Sequence, residues 1–289
     1  MAQSNTQKRI LDSPNIPDGP HLREVLSLLT DRYSLIHTLP LGHSMLGHPL
    51  SLLELGKGKA GVLYFGGQAA NDRMTPAILT RFLNEYCELH TRRGRVFGVN
   101  LSYLAELRRI DLLPMLNPDG IGYTLHGVAE DHILRARLLA MNGGSDDFSR
   151  WQGNARGICL DRNYATADFA NRTARENCGP SSESEPESSA MARLLRCRGE
   201  TRLVIELRTG PREIRMAKSA GRQIAGLGRM LARLCGMPLT STDGGCFCDW
   251  AAEELNLPAF TVFCGEDSEV FALYAGIREM LFVAPTLIG

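Results

Sequence analysis

The strongest constraint on this chain is an alternation of short, almost wholly apolar runs with longer stretches of helical spacing. The runs are GVLYFGG (61–67), IDLLPML (110–116), TRLVIELRTG (201–210) and PAFTVFCG (258–265). Between them, Leu22, Val25, Leu26 and Leu29 share one face of a predicted helix over 21–33. Ile78, Leu79, Phe82, Leu83 and Tyr86 do the same over 75–90, as do Ile224, Leu227, Leu231 and Leu234 over 218–234. Further helices are expected at 129–141, 187–196 and 269–281. A strand apolar on both faces has to be covered on both faces, so the chain is expected to form an α/β sheet between two helical layers. The runs at 33–39 and 48–56, joined through a glycine turn, predict an antiparallel edge and hence a mixed sheet. Gly56-Lys57-Gly58-Lys59 reads as a second hairpin turn, and Asn117-Pro118-Asp119-Gly120 as a turn closing a strand. No composition break or internal repeat interrupts this pattern. It predicts one domain over 21–289 behind a polar extension over 1–20.

Charge argues against one class of function, a local basic patch aside. The 32 Lys and Arg balance 32 Asp and Glu, whereas a nucleic-acid-binding face normally shows as an excess of cations. No apolar run is long enough for a membrane span, and the first twenty residues lack an apolar leader core. A cytoplasmic protein with reduced thiols and no membrane partner is expected.

Polar residues gather where the strands end. Gln68, Asn71 and Asp72 follow the first run, Asn117 and Asp119 the second, and Arg208 ends the third. In α/β sheets ligands bind at the carboxyl ends of strands, so these groups either converge on a ligand or act as turn formers and caps. Arg156, Arg162 and Arg208 supply the fork-shaped donors that suit a carboxylate. Glu206, two residues before Arg208, lies on the same strand face and is an available partner. Cys246 and Cys248 are spaced too tightly for most structural zinc sites, and buried inert thiols are the expected reading of them and of Cys264. His43 and His48 flank a turn with no evident carboxylate partner. Gly221, Gly226 and Gly228 fall inside a helix pattern, which suggests close packing. Phosphate-loop, nucleophile-elbow and HExxH motifs are missing from the sequence.

Taken together, LNPDG (116–120), NARGICLDRNY (154–164), SEPES (184–188), GGCFCDW (244–250) and LPAFTVFCG (257–265) resemble the zinc carboxypeptidases of the carboxypeptidase A type, especially their bacterial branch. The likeness runs from about residue 40 to near the end. It implies a three-layer α/β/α domain around a mixed, mostly eight-stranded sheet. It also implies one zinc ion held by an HxxE pair and a second His, a glutamate general base, Arg and Asn residues gripping a terminal carboxylate, and a closing Tyr. This sequence departs from that pattern at nearly every chemical position. GGQAAND puts Ala69 at the first His and Asp72 at the Glu, Arg208 stands at the second His, and Phe263 replaces the general base. Ser241 falls near the closing Tyr, and Asp249 matches a family Asp. Arg162 matches the carboxylate-gripping arginine, with Asp161 in place of its Asn neighbour. Gln152 stands at the oxyanion-side arginine, for which Arg156 is the nearest substitute.

The expectation is a pseudoenzyme with no zinc and no other cofactor. Its cationic cleft, with Arg162, Asp161, Arg156, Arg208 and Asp249 as binding residues, would take a peptide C-terminal carboxylate or another anion. Two other readings stay open. Hydrolysis could use a different constellation of Glu206, Asp72 and Cys264, or Arg208 could pair with Asp72 or Glu206 and fill the old cavity, leaving an interaction protein.

Overall fold

In the computed structural model, residues 18–171, 177–266 and 269–289 are described. The strands are β1 (Ile36–His43), β2 (Pro49–Leu55), β3 (Gly61–Phe65), β4 (Arg95–Val96), β5 (Val99–Asn100), β6 (Arg109–Leu113), β7 (Thr201–Arg208), β8 (Gly210–Met216), β9 (Leu239–Ser241) and β10 (Ala259–Gly265). All but β4 and β5, which form a small hairpin of their own, join one eight-stranded sheet in the order β1-β2-β6-β3-β7-β10-β8-β9. The centre, β6-β3-β7-β10, is parallel. Antiparallel β1-β2 forms one edge, and β8, antiparallel to β10, leads to the other. The mixed three-layer architecture expected from the sequence is present.

The helices are α1 (Gly19–Arg32), α2 (Thr75–Thr91), α3 (Leu101–Leu107), α4 (Pro118–His126), α5 (Arg135–Met141), α6 (Pro186–Cys197), α7 (Arg222–Cys235), α8 (Phe247–Leu255) and α9 (Val270–Val283). Strand alternation divides the core between two faces. Val62, Tyr64, Ile205, Leu207, Phe260, Val262 and Cys264 pack with α1, α2, α7 and α9. Leu63, Phe65, Val204 and Ala259 point the other way, into Tyr164, Met191, Phe247 and Trp250. By the same alternation Glu206, Arg208, Thr261 and Phe263 belong to this second side. Among the described residues no helix is long and apolar enough to cross a membrane.

Several expectations are corrected. The 56–59 turn is no hairpin, because β6 lies between β2 and β3. It is instead a close backbone crossing: a Cβ on Gly58 would stand 2.1 Å from the Leu107 carbonyl oxygen, which only glycine avoids. The Asn-Pro-Asp-Gly segment opens a helix, with the Asn117 side chain accepting from the Gly120 N–H at 2.9 Å. The helix expected at 129–141 shrinks to Arg135–Met141, and that at 218–234 begins at Arg222. The first helix begins at Gly19 on an Asp18 cap, two residues inside the expected extension, whose residues 1–17 lie outside the described ones. Strand β8 and helices α3 and α8 were not anticipated. In β8 only Ile214 is buried, so its sequence carries almost no apolar alternation.

Candidate functional site

The ends of β3 and β7 carry a closed polar network on the second face of the sheet. Arg208 donates from Nε to Asp72 Oδ2 at 3.1 Å and from Nη1 to Asp161 Oδ2 at 3.2 Å. The other Asp72 oxygen accepts from the Thr209 N–H at 3.0 Å and the Thr209 hydroxyl at 2.8 Å. Beneath them Gln68 donates to Glu206 Oε1 at 2.9 Å and to Asp161 Oδ1 at 3.3 Å. The Gln68 amide oxygen accepts from Tyr164 OH at 2.9 Å. Thr261 donates to Glu206 Oε2 at 2.9 Å, and the Phe247 N–H, at the start of α8, binds Asp161 Oδ1 at 3.0 Å. Gln68, Glu206 and Tyr164 have no exposed surface.

Burial dominates the electrostatics. It raises the Asp72 pKa even against the opposing Arg208 charge. Burial, reinforced by the nearby Asp161 charge, lifts Glu206 to about 8, so it carries its proton at neutral pH. Burial also opposes the Arg208 charge, but Asp72, Glu206 and Asp161 outweigh it and hold the guanidinium firmly protonated. Two aspartates, Asp72 and Asp161, pair with one guanidinium, and this corner has no surplus positive charge. That corrects the expected cationic pocket at Arg208.

Beside the network an open cleft of about 620 Å³ is lined by Arg150, Gln152, Cys159, Arg162, Asp168 and Asp243, among others. Arg162 Nη1 donates to the Gly244 carbonyl at 2.5 Å, and Asp243 lines the same cleft. Burial, followed by the Asp161 charge, pushes the Cys159 thiol up to about 11. It stays protonated and is a poor nucleophile near neutrality.

The remaining sequence-selected residues lie elsewhere. Arg156 does not line this cleft; its Nη2 stands 3.6 Å from Glu185. Asp249 is buried as a cap, accepting from the Cys246 N–H, the Thr242 hydroxyl and the Lys218 N–H. Ser241 is exposed at the end of β9. Phe263 lies under two cations, with Arg215 4.6 Å and Arg208 5.6 Å from its ring centre. Cys264 faces the opposite core with no exposed surface, and burial drives its pKa far up. This closes the alternative nucleophile route. Of the three glycines read into a helix, Gly221 instead caps α7, and of the two inside it Gly228 is the one pressed closely, with a Cβ meeting Phe260 at 2.8 Å.

A second network has no signature in the sequence. His48 Nδ1 lies 2.6 Å from Asp119 Oδ1, correcting the reading that His48 lacks a carboxylate. Asp119 also accepts from Ser44 Oγ at 2.7 Å and the Leu46 N–H at 2.9 Å. Glu187 accepts from the Met45 N–H at 2.9 Å, and Asn154 bridges Glu185 and Glu187. Together these groups tie down the turn between β1 and β2. Residues 71 positions apart form its central pair, a separation no motif reveals.

Comparison with known proteins now has a geometry to rest on. Residues 22–214, two-thirds of the chain, match the model of a family described as zinc carboxypeptidase. The chain belongs to the zinc carboxypeptidase family. Gamma-D-glutamyl-L-diamino acid endopeptidase 1 of Lysinibacillus sphaericus is 27% identical over 197 residues, covering 66% of this chain and 50% of that protein. The protein YqgT of Bacillus subtilis (strain 168) is 27% identical over 195 residues, covering 64% and 52%. The chain thus spans about half the length of these relatives. Among solved structures, carboxypeptidase A from Helicoverpa armigera superposes with a TM-score of 0.70 at 16% identity, covering 99% of this chain and 81% of that one. Bovine thrombin-activatable fibrinolysis inhibitor gives 0.72 at 17% identity, covering 95% and 96%. At such identities the structural likeness shows the shared fold.

The zinc that names the family does not fit the residues present. Ala69 offers no donor atom. Both oxygens of Asp72 are taken by Arg208 and Thr209. A divalent cation about 4 Å from the Arg208 guanidinium would meet about 8 kcal/mol of repulsion at an effective dielectric near 20. Asn71 Oδ1 is a buried oxygen without a partner, but one amide oxygen is no zinc donor set. Among the described residues no group of three or more His, Cys, Asp or Glu side chains could hold a metal.

Proposed function

We propose that this zinc carboxypeptidase homologue binds peptide ends without hydrolysing them. The observation carrying the reading is the Arg208 ion pair with Asp72 and Asp161, a fixed cation where the family places its metal. The family's reaction needs a metal to activate water and a carboxylate to move protons. Here the corresponding positions hold Ala69, Asp72, Arg208 and Phe263.

The open part of the cleft supports binding. Arg150 and Arg162 line it together with Asp243, an exposed carboxylate. Such a lining suits a ligand that brings a carboxylate to the arginines and an ammonium to the aspartate. A peptide ending in a diamino acid has both. The name of the Lysinibacillus sphaericus relative, an endopeptidase of gamma-D-glutamyl-L-diamino acid bonds, points to the same ligand class. A cytoplasmic location belongs to this proposal and is tested by fractionating the cells that make the protein.

The test is calorimetric titration of the full chain with γ-D-glutamyl-L-lysine, its C-terminal amide, and the analogue with norleucine for lysine. The free-acid lysine peptide is expected to bind and to be recovered intact, the other two to bind at least tenfold more weakly. Zinc content should lie far below one atom per chain. One tightly held zinc per chain, or zinc-dependent cleavage of the peptide, would overturn the reading.

A further inference from the structure

At the opposite end of the parallel strands from the cleft, the β4–β5 hairpin, helix α3 and the C-terminal turn enclose a second groove of about 530 Å³. Its apolar lining is unusually open to solvent: Phe97 is 42% exposed, Leu107 45% and Tyr103 67%. Its charged lining residues are Arg95 and Arg108, with no carboxylate. Arg95 is exposed. The Arg108 guanidinium donates to the carbonyls of Leu107, Pro285 and Ile288, which fix it in place without neutralising it.

The hairpin adds an independent observation. Its two-residue turn is Phe97-Gly98, with φ of 48° and 77°. Positive φ at both positions is what a tight hairpin requires, and Asn-Gly is the ordinary solution. A bulky aromatic residue in the left-handed region is strained, and strain of this kind concentrates at ligand clamps. The strained residue sets its ring at the groove wall, 4.9 Å from the Arg278 guanidinium carbon and 6.3 Å from the Phe282 ring centre.

We propose that this groove docks a short segment of a partner protein in which acidic residues flank an aromatic or branched apolar anchor. The exposed Phe97, Tyr103 and Leu107 provide the apolar seat, and unneutralised Arg95 and Arg108 select the flanking charge. Aromatic and arginine side chains dominate the energetics of such surfaces, and complementary charge sets partner choice. The groove is lined by three separate segments, the β4–β5 hairpin, helix α3 and the C-terminal turn, which suits an inserted side chain better than a lipid surface. The overall charge of zero argues against nucleic acid.

The experiment is selection from a random displayed peptide library on the full-length protein, followed by anisotropy titration of the best peptide. Selected sequences should be rich in Asp and Glu around Phe, Leu or Trp. Tyr103→Ala should weaken the selected peptide about tenfold, as loss of an interface anchor does. Arg95→Glu should weaken it similarly and remove most of its salt sensitivity. Both side chains are surface-exposed, so the unfolding midpoint should stay unchanged, and Asp243→Asn in the other cleft should leave peptide binding untouched. A selection without acidic enrichment, or affinity that survives both substitutions, would overturn the proposal. So would competition by phosphatidylserine vesicles or by oligothymidylate.

Discussion

Two groups of buried carboxylates sit at the carboxyl ends of the strands and are stabilised by different means. Asp72 and Asp161 pair with the Arg208 guanidinium above a protonated Glu206, so their charge is met by a counter-ion. Asp119, Glu185 and Glu187 are met mainly by neutral donors: backbone N–H groups of 45 and 46, the Ser44 hydroxyl and the Asn154 amide. Of the basic groups, partly exposed His48 meets Asp119 at 2.6 Å and partly exposed Arg156 stands 3.6 Å from Glu185. A cluster built round one ion depends on that ion, because removing it leaves uncompensated charge in a low dielectric. A cluster built from hydrogen bonds loses stability in smaller steps.

Arg208→Met is the sharpest way to break this contrast. It should cost about 3–5 kcal/mol of unfolding free energy in urea, the cost of orphaning a buried charge. A loss below about 1 kcal/mol would show that Asp72 and Asp161 find other compensation and erase the difference between the clusters. Asp119→Ala, measured the same way, should cost about 2–3 kcal/mol, because the Ser44, Leu46 and His48 donors all lose their acceptor.

A pH series tests what the clusters share, since each contains one glutamate raised chiefly by burial: Glu206 to about 8 and Glu187 to about 7. In the unfolded chain these groups release their protons near the ordinary glutamate value of about 4.3. Between that pH and the folded values, the folded protein binds more protons than the unfolded one. Stability from these two groups is therefore fully present at acid pH and lost as pH rises through 7 and then 8. Glu206→Gln should flatten the upper part of that decline and leave the protein about 1–3 kcal/mol more stable than wild type at pH 9, with little change at pH 5. Chemical denaturation across this range checks it, and an unchanged slope would mean Glu206 is ionised in the fold. Arg156→Met is expected to have the smallest effect, about 0–1 kcal/mol, for a loose and partly exposed pair.

Much of the fold was legible because the central strands are apolar on both faces and α2 and α7 carry clean stripes. The elements that were missed had other reasons to be obscure. β8 buries one side chain, α8 begins in a glycine–cysteine stretch, and Asn117-Pro118 serves a helix start as readily as a turn. At the site, the sequence showed which groups had replaced the metal ligands and named Asp72 and Glu206 as candidate partners for Arg208. It could not choose between them or foresee Asp161, because the outcome depends on side-chain geometry across three segments. Asp243 was missed because an aspartate beside Gly244 looks like any turn former. The His48–Asp119 pair was missed because sequence separation hides contacts between adjacent strand ends.

The twofold grip of Arg208 on Asp72 and Asp161 also works as an evolutionary ratchet. A histidine placed at this one position would strand two acids beside a weaker partner, while replacing Ala69 by histidine or Phe263 by glutamate first would gain nothing. Each such change is harmful or idle when taken alone, so no single substitution leads this chain to a zinc site.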